Sequence, residues 1–436
     1  MLVVNGALVT LGEDKRIIAD GALRIEGMRI MDLGSSAELR ARYPEELCLD
    51  AQGMLVMPGM ICAHTHLDAP FARGLKRSQA EKTQTTRDLR WELDVALGYE
   101  DIRYSTLASC ITAIRHGTTT LFGQHSSPRA VPYSLDAVAE ATLQAGLRAC
   151  LSYEVSDHLS VANGRQGIEE NARFAKRIKG EPLLAASMGL QASVTLSDGT
   201  LSAAVGAAAL SNVGFHVHVA ADSADVRDCL ARYGLCPAER FRKRGVLGPR
   251  TIAADCVHIS PAEMDLLRES RAWVVHNPRA NASEGTGPAP VPEMLKHGLR
   301  VCLGSDIFPS SMFHEMQAAY LLHKQRGAPN ALSEDGITQI VLQNNGALAS
   351  RICRDKLGEL TAGALADVIL VAYPGPAPIT EDNLASHLVS GADAFHVDTT
   401  IVGGRVLMRH GSLLTIDEEA ITARACELGR LLWARL

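Results

Sequence analysis

Two hydrophobic textures divide the chain. From residue 1 to about 56 the apolar positions fall in short β-like stretches, LVVNGALVTL, GALRIEGMRIMDLG and LCLDAQGMLVMPG, parted by turn residues and without a long helical pattern. Asn5-Gly6 interrupts the first stretch and predicts a hairpin turn. After residue 56, short apolar runs alternate with longer amphipathic stretches. The runs are LVMPGMICAHTH, GTTTLFGQH, LRACLSYEV, LLAASMGLQA, VGFHVHVAA, TIAADCVHIS, AWVVHNP and RVCLGSD. Stretches between them, such as SLDAVAEATLQAG and GIEENARFAKRIKG, carry helical spacing. Eight strand candidates alternating with helices over roughly 250 to 300 residues predict a (β/α)8 TIM barrel.

The texture turns β-like again in KLGELTAGALADVILVAYPG and DTTIVGGRVLMRHGSLL, and a closing helix is expected from Glu418 to Leu436. The expected α/β organisation is therefore a barrel at 57–360 and a small β-sandwich domain built from both chain ends, 1–56 and 361–415. A C-terminal helix at 416–436 completes it. A length of 436 residues suits one large and one smaller unit.

Composition narrows the function. The net charge is −6 and Lys and Arg form no run, so nucleic acid and membrane surfaces are not expected partners. No uninterrupted run of about 18 apolar residues predicts a membrane span. The N-terminal stretch lacks the charged region of a secretory leader. The ten cysteines form no CxxC pair and sit mostly in apolar runs, which fits reduced core residues in a cytoplasmic protein.

Each barrel run ends in residues that an apolar core would not select: His64 and His66, Gln124 and His125, Glu154, Gln191, His218, Asp255 and His258, His276, and Asp306. Such strand ends converge on one mouth of a barrel, where active sites lie. Residues two apart on a strand share a face, so His64 and His66 can aim at one point, as can His216 and His218. Imidazoles joined by a carboxylate suit a divalent transition metal, and His64, His66, His218 and Asp306 make that set. A metal held there would activate water as a nucleophile near neutral pH. Plainer readings exist: Asp306 as a helix cap before SSMFHEM, His276 as a turn residue before Asn277-Pro278, His216 as a packed neighbour of the site.

The motifs VMPGMICAHTHL, GFHVHVAAD, VVHNPRAN, GSDIFPSSMFHEM and GELTAGALADVILV, with the two helical stretches above, resemble the amidohydrolase superfamily. The likeness covers nearly the whole chain. It lies in the branch of cytosine, guanine and triazine deaminases and chlorohydrolases, nearest to SsnA-type aminohydrolases. The resemblance implies one divalent metal ion, zinc before iron or manganese. Its ligands fall on His64, His66, His218 and Asp306, and Asp306 would also take a proton from metal-activated water. It implies hydrolysis of carbon–nitrogen bonds other than peptide bonds, in a small cyclic nitrogenous substrate, and a homodimer as the expected assembly.

Three positions depart from that pattern. Where the family reads H-x-x-E, this chain has His218 followed at the glutamate position by Ala221. The family's strand 6 histidine is replaced by Asp255, and its H-A-P by Gln191-Ala192-Ser193. Positioned proton transfer typically contributes about 10² to 10⁴ in rate, so these losses bear on activity. Three readings stay open. In a repurposed hydrolase, Asp255 or His258 joins Asp306 in catalysis, with Asp222 a further substitute that should point elsewhere. Alternatively, Asp255 is an extra metal ligand. In the third, the protein is a degenerate homologue that binds metal or ligand without deaminase activity. Gln124, His125, Gln191, His276 and Arg279 are candidate substrate-binding residues. Arg73 is either an anion anchor or a loop salt bridge. Trp91 follows a charged loop that could form a lid or a dimer contact, or it packs on the barrel wall.

Overall fold

The computed structural model describes residues 1–12, 15–75, 86–325, 332–375 and 377–436. Nine short parallel strands carry the eight apolar runs. Met60–His66, Thr118–His125, Arg148–Tyr153 and Leu184–Ala186 form a four-stranded parallel sheet. Met188–Leu190, Phe215–Val219, Ile252–Asp255, Trp273–His276 and Arg300–Leu303 form a five-stranded one. The run LLAASMGLQA contributes to both, because it breaks at Ser187 into the last strand of one sheet and the first of the other. Single parallel bridges, Thr65 to Asp306 and Val155 to Leu190, link the two sheets at both seams. Strands such as Met60–His66 and Thr118–His125 are buried along their whole length. That explains why they read as continuous apolar runs rather than as alternations.

Helices separate these strands, including Tyr99–Arg115, Ser134–Ala145, Val161–Arg177, Asp198–Ser211, Ser223–Tyr233 and Pro261–Glu269. Their starts follow local chemistry. Ser160, Ser197, Asp222 and Ser260 each accept a hydrogen bond from the third residue beyond, and Glu263 completes a capping box with Ser260. Asp222 is thus spent on a helix start. The C-terminal helix runs from Glu418 to Trp433. Among the described residues no helix is long and apolar enough to cross a membrane.

Strands from both chain ends share a nine-stranded sheet. Leu55–Pro58 from the first part pairs antiparallel with Val368–Ala372 from the last. One expectation for this region needs correction. Asn5-Gly6 is no hairpin turn: Leu2–Val9 is one strand, with Asn5 in the left-handed region (φ 58°) and a register shift around Gly6. A Cβ on Gly6 would stand 2.4 Å from Val56 Cγ2, so close strand packing requires glycine there. A short helix, Ser36–Arg42, also appears, started by the Ser35/Glu38 capping box.

One buried ion pair ties the parallel strands to the mixed sheet. Arg148, at the start of its strand, donates from Nε and Nη2 to Asp367 at 2.9 and 3.1 Å and from Nη1 to the Pro182 carbonyl. Asp367 also accepts from the Gly403 amide. Removing one partner leaves an unpaired buried charge, so Asp367→Ala should cost about 3–5 kcal/mol in urea unfolding. A double Arg148→Met, Asp367→Leu variant should recover most of it.

Candidate metal centre

The metal-ligand types converge where the strands end. His64 and His66 come from the end of Met60–His66, His218 from Phe215–Val219, and Asp306 follows Arg300–Leu303. One ligand atom from each lies within 4.8 Å of the others. Nε2 of His64 and of His66 stand 3.7 and 3.3 Å from Asp306 Oδ1. The His66 and His218 rings stack at 5.5 Å between centroids. His64 Nε2 is buried without a hydrogen-bond partner. An orphaned imidazole nitrogen facing a carboxylate and two more imidazoles fits a divalent cation, and the three-nitrogen, one-oxygen donor set suits zinc-type ions.

Neighbours hold these rings in place. His64 Nδ1 meets His216 Nε2 at 2.8 Å, so His216 orients His64 rather than joining the four. Glu154 Oε1 lies 3.5 Å from His218 Nδ1. Burial, reinforced by Asp94, Asp68 and Asp306, pushes the Glu154 carboxyl well above the usual range, against the pull of Arg90. Burial also disfavours ionised Asp306, yet His64, His218 and Arg90 outweigh it and hold its carboxyl below the ordinary value. Burial drives the His66 imidazole well below its usual pKa, and Arg90, His64 and His218 push the same way.

The backbone is unusual at this end. Ala220, Asp255, Cys256 and Asp306 all have positive φ, between 47° and 69°. Such conformations cost energy in non-glycine residues and tend to gather at functional sites. Gly304 is required by close approach, since a Cβ there would meet Asn277 Oδ1 at 2.5 Å and the His64 carbonyl at 2.8 Å.

The remaining candidates separate. Asp255 stands outside the four-atom group. Its Oδ1 instead accepts from Asn277 Nδ2 at 2.9 Å and Asn281 Nδ2 at 3.1 Å. His258 is exposed, and among the described residues its ring has no hydrogen-bond or ion-pair partner; it stands outside the four-atom group. Gln124 donates to the His216 carbonyl at 2.8 Å and spans the interior to its backbone. Gln191 accepts from Thr195 Oγ1. His276 is buried beside His323, with ring centroids 5.4 Å apart. Arg279 donates to Glu315 Oε1 at 2.6 Å and to the Pro309 carbonyl at 2.7 Å, while its guanidinium covers Phe308. Arg73 is exposed on the loop after the first parallel strand. Trp91 lies on helix Thr86–Ala96 and stacks on His158 at 3.6 Å between centroids. Most of the charged loop before it, 76–85, lies outside the described residues.

The sequence reading missed a charged group on that helix. Arg90 donates to Asp68 Oδ2 at 2.7 Å and to Asp94 Oδ1 at 3.3 Å, and His125 Nδ1 faces Asp68 Oδ1 at 4.0 Å. The i,i+4 spacing of Arg90 and Asp94 was the available signal, but it usually marks an exposed face.

The comparisons with known proteins agree with this geometry. Residues 55–407 match the amidohydrolase family. The chain belongs to the amidohydrolase family. A short N-terminal segment, 21–45, matches the bacterial imidazolonepropionase-like composite domain. A relative from Pelotomaculum thermopropionicum, named 5-methylthioadenosine/S-adenosylhomocysteine deaminase, is 31% identical over 98% of this chain and 97% of its own length. A 5'-deoxyadenosine deaminase from Methanosarcina mazei is 30% identical over 100% and 99%. Among solved structures, a zinc-bound adenosine deaminase from Xanthomonas campestris superposes with TM-score 0.88 at 21% identity, covering 100% of this chain and 98% of that one. Zinc-bound atrazine chlorohydrolase from Arthrobacter aurescens gives 0.81 at 20%, covering 98% and 99%. These superpositions show the shared fold. The protein is thus a hydrolase of metal-dependent, deaminase-like ancestry.

Buried His125 supplies a pH test. Burial lowers its pKa to about 4, with Asp68 opposing and Arg90 assisting, and its Nε2 meets Ser127 Oγ at 2.9 Å. In the unfolded chain it protonates below about 6.5. Because the folded pKa is depressed, its contribution is present above pH 6.5 and is lost as pH falls toward 4, by up to about 1.4 kcal/mol per unit. Urea unfolding of His125→Gln should show a shallower stability loss than the parent between pH 6.5 and 4.

Proposed function

We propose that this chain is an aminohydrolase that releases ammonia from a small cyclic nitrogenous compound. The observation that carries the reading is the buried group of His64, His66, His218 and Asp306 with ligand atoms within 4.8 Å of one another. We read the two parallel sheets as a closed eight-stranded barrel and the strands from both ends as its β-sandwich companion. The four side chains hold one divalent ion, zinc in the first instance, with iron or manganese also compatible with the donor set. Such an ion supplies water activated for attack on a ring carbon. Asp306, held as a carboxylate by its imidazole neighbours, would be the group placed to take up a proton at Oδ1. His216 and Glu154 keep His64 and His218 oriented through the short contacts described above. His125 and Gln191 line the approach, whereas Arg279, already engaged by Glu315, acts by shaping the rim.

The deaminase names of the relatives make amino-bearing purine nucleosides the first substrates to try. The protein is read as cytoplasmic, in keeping with ten free cysteines, and as a homodimer. A second reading, a metal- or ligand-binding homologue without deaminase activity, draws on Ala221, which leaves no carboxylate three residues after His218. One experiment separates the two. Metal analysis should find one zinc, iron or manganese per chain, and a screen of nucleobases, nucleosides, triazines and cyclic guanidines should show ammonia release. Asp306→Asn should lower that release by about 10² or more. Bound metal without ammonia from any compound would favour the binding reading.

A further inference from the structure

The buried carboxylates at the mouth outnumber the cations, and their pairing leaves one of them over. Arg90 is engaged by Asp68 and Asp94, and Arg279 by Glu315. Asp306 belongs to the metal-ligand group, and Glu154 faces His218. Asp255 is only 3% exposed, yet no cationic side chain pairs with it among the described residues. Its Oδ1 takes two amide donors, from Asn277 and Asn281, while Oδ2 has no donor among the described residues. A carboxylate buried to this degree is costly unless a charge or several donors meet it.

The placement of this carboxylate is specific. Asp255 ends its strand one position past Ala254, which pairs with His218, and it is itself in register with Val219. Asn277, which holds it, lies against Gly304, whose other close neighbour is the His64 backbone. Asp255 is therefore braced from the side of the metal-ligand strands. Its left-handed backbone, φ 69°, is kept despite its cost. Both Asn277 and Asn281 are almost fully buried, so the carboxylate has little freedom to swing away. An ionised carboxylate only accepts hydrogen bonds. A group that reaches Oδ2 must present N–H donors, and a positive charge would meet the unpaired anion best.

Resting on the aminohydrolase reading above, we propose that Asp255, braced by Asn277 and Asn281, binds the N–H edge of a cationic amidine- or guanidine-type ring, making such rings the substrate class. The chemistry of that class suits the site. In a ring amidinium, water oxygen bonds to the central carbon and the exocyclic C–N bond breaks. The two protons of water and the two on the departing nitrogen leave as ammonium, and the ring keeps a neutral carbonyl. Charge passes from substrate to ammonium, so the overall reaction draws no proton from the protein. A ring that arrives protonated needs one proton transfer fewer than a neutral one, which suits a chain with alanine at position 221.

The test pairs binding with turnover. The probes are 2-amino-2-imidazoline, cationic at neutral pH, and adenosine, neutral there. Binding is measured by calorimetry on the full chain, both metal-loaded and after chelation. The parent should bind the imidazoline in both forms. Asp255→Asn keeps the shape and tolerates positive φ, and it should weaken that binding by about tenfold or more, with a smaller effect on adenosine. Asp255→His should shift preference toward adenosine. Thermal unfolding shows whether each variant is folded, and if Asp255→Asn is not, the Asn277→Ala and Asn281→Ala variants carry the same expectation. Equal imidazoline binding by folded parent and variant would overturn the proposal, as would no imidazoline binding by the parent. Ammonia release from adenosine but none from the imidazoline would overturn it too, while leaving the aminohydrolase reading intact. Imidazoline binding that depends on Asp255, in a protein that releases ammonia from nothing, would support the recognition site and remove the aminohydrolase reading.

Discussion

Three imidazoles and a carboxylate packed out of water at one point constrain everything around them. His64, His66 and His218 crowd together with ring centroids about 5 Å apart, and Asp306 closes the group. Without a cation between them such groups gain little from proximity and lose hydration. The fold meets this cost with oriented neighbours. His216 fixes one ring and Glu154 stands behind another. Gln124 holds the backbone carbonyl of His216, so even the supporting strand is tied from within.

The same end of the sheets stores backbone strain. Four non-glycine residues there adopt left-handed conformations, two of them the aspartates of the site. Left-handed aspartate is less costly than most side chains, because its short polar group bonds locally. The strain survives because burial and hydrogen bonds over-determine it: Asp306 is bridged to Thr65, and Asp255 is gripped by two amides. Rigid strands below and strained turns above make a site whose polar groups cannot readily turn toward water.

Much of the candidate centre was legible before any coordinates. The close pair His64 and His66, with His218 and Asp306 each at the end of an apolar run, already named the group that the structure gathers. The alternation of runs and helical stretches located the parallel strands, but the run LLAASMGLQA, read as one strand, splits at Ser187 into two. Other readings were out of reach. Asn5-Gly6 has the residues of a turn, yet neighbouring strands hold it as a bulge. Gln124 looked like a pocket residue, but its amide satisfies a carbonyl on another strand. Arg90 drew no notice in the sequence, because its partner Asp68 lies 22 residues away on another segment.

The amino-acid sequence by itself determined which residues could form metal-binding strand ends, because period and polarity are local properties. It also showed that Asp255 and Ala221 depart from the family's usual acid–base set. Only the tertiary structure decided what those departures mean. Pairing among buried charges depends on distances between distant segments: Arg279 goes to Glu315, Arg90 to two aspartates, and Asp255 to two asparagines, with no cation on it among the described residues. No spacing rule along one chain can assign those partners, since each is chosen by where separate strands and helices place their ends.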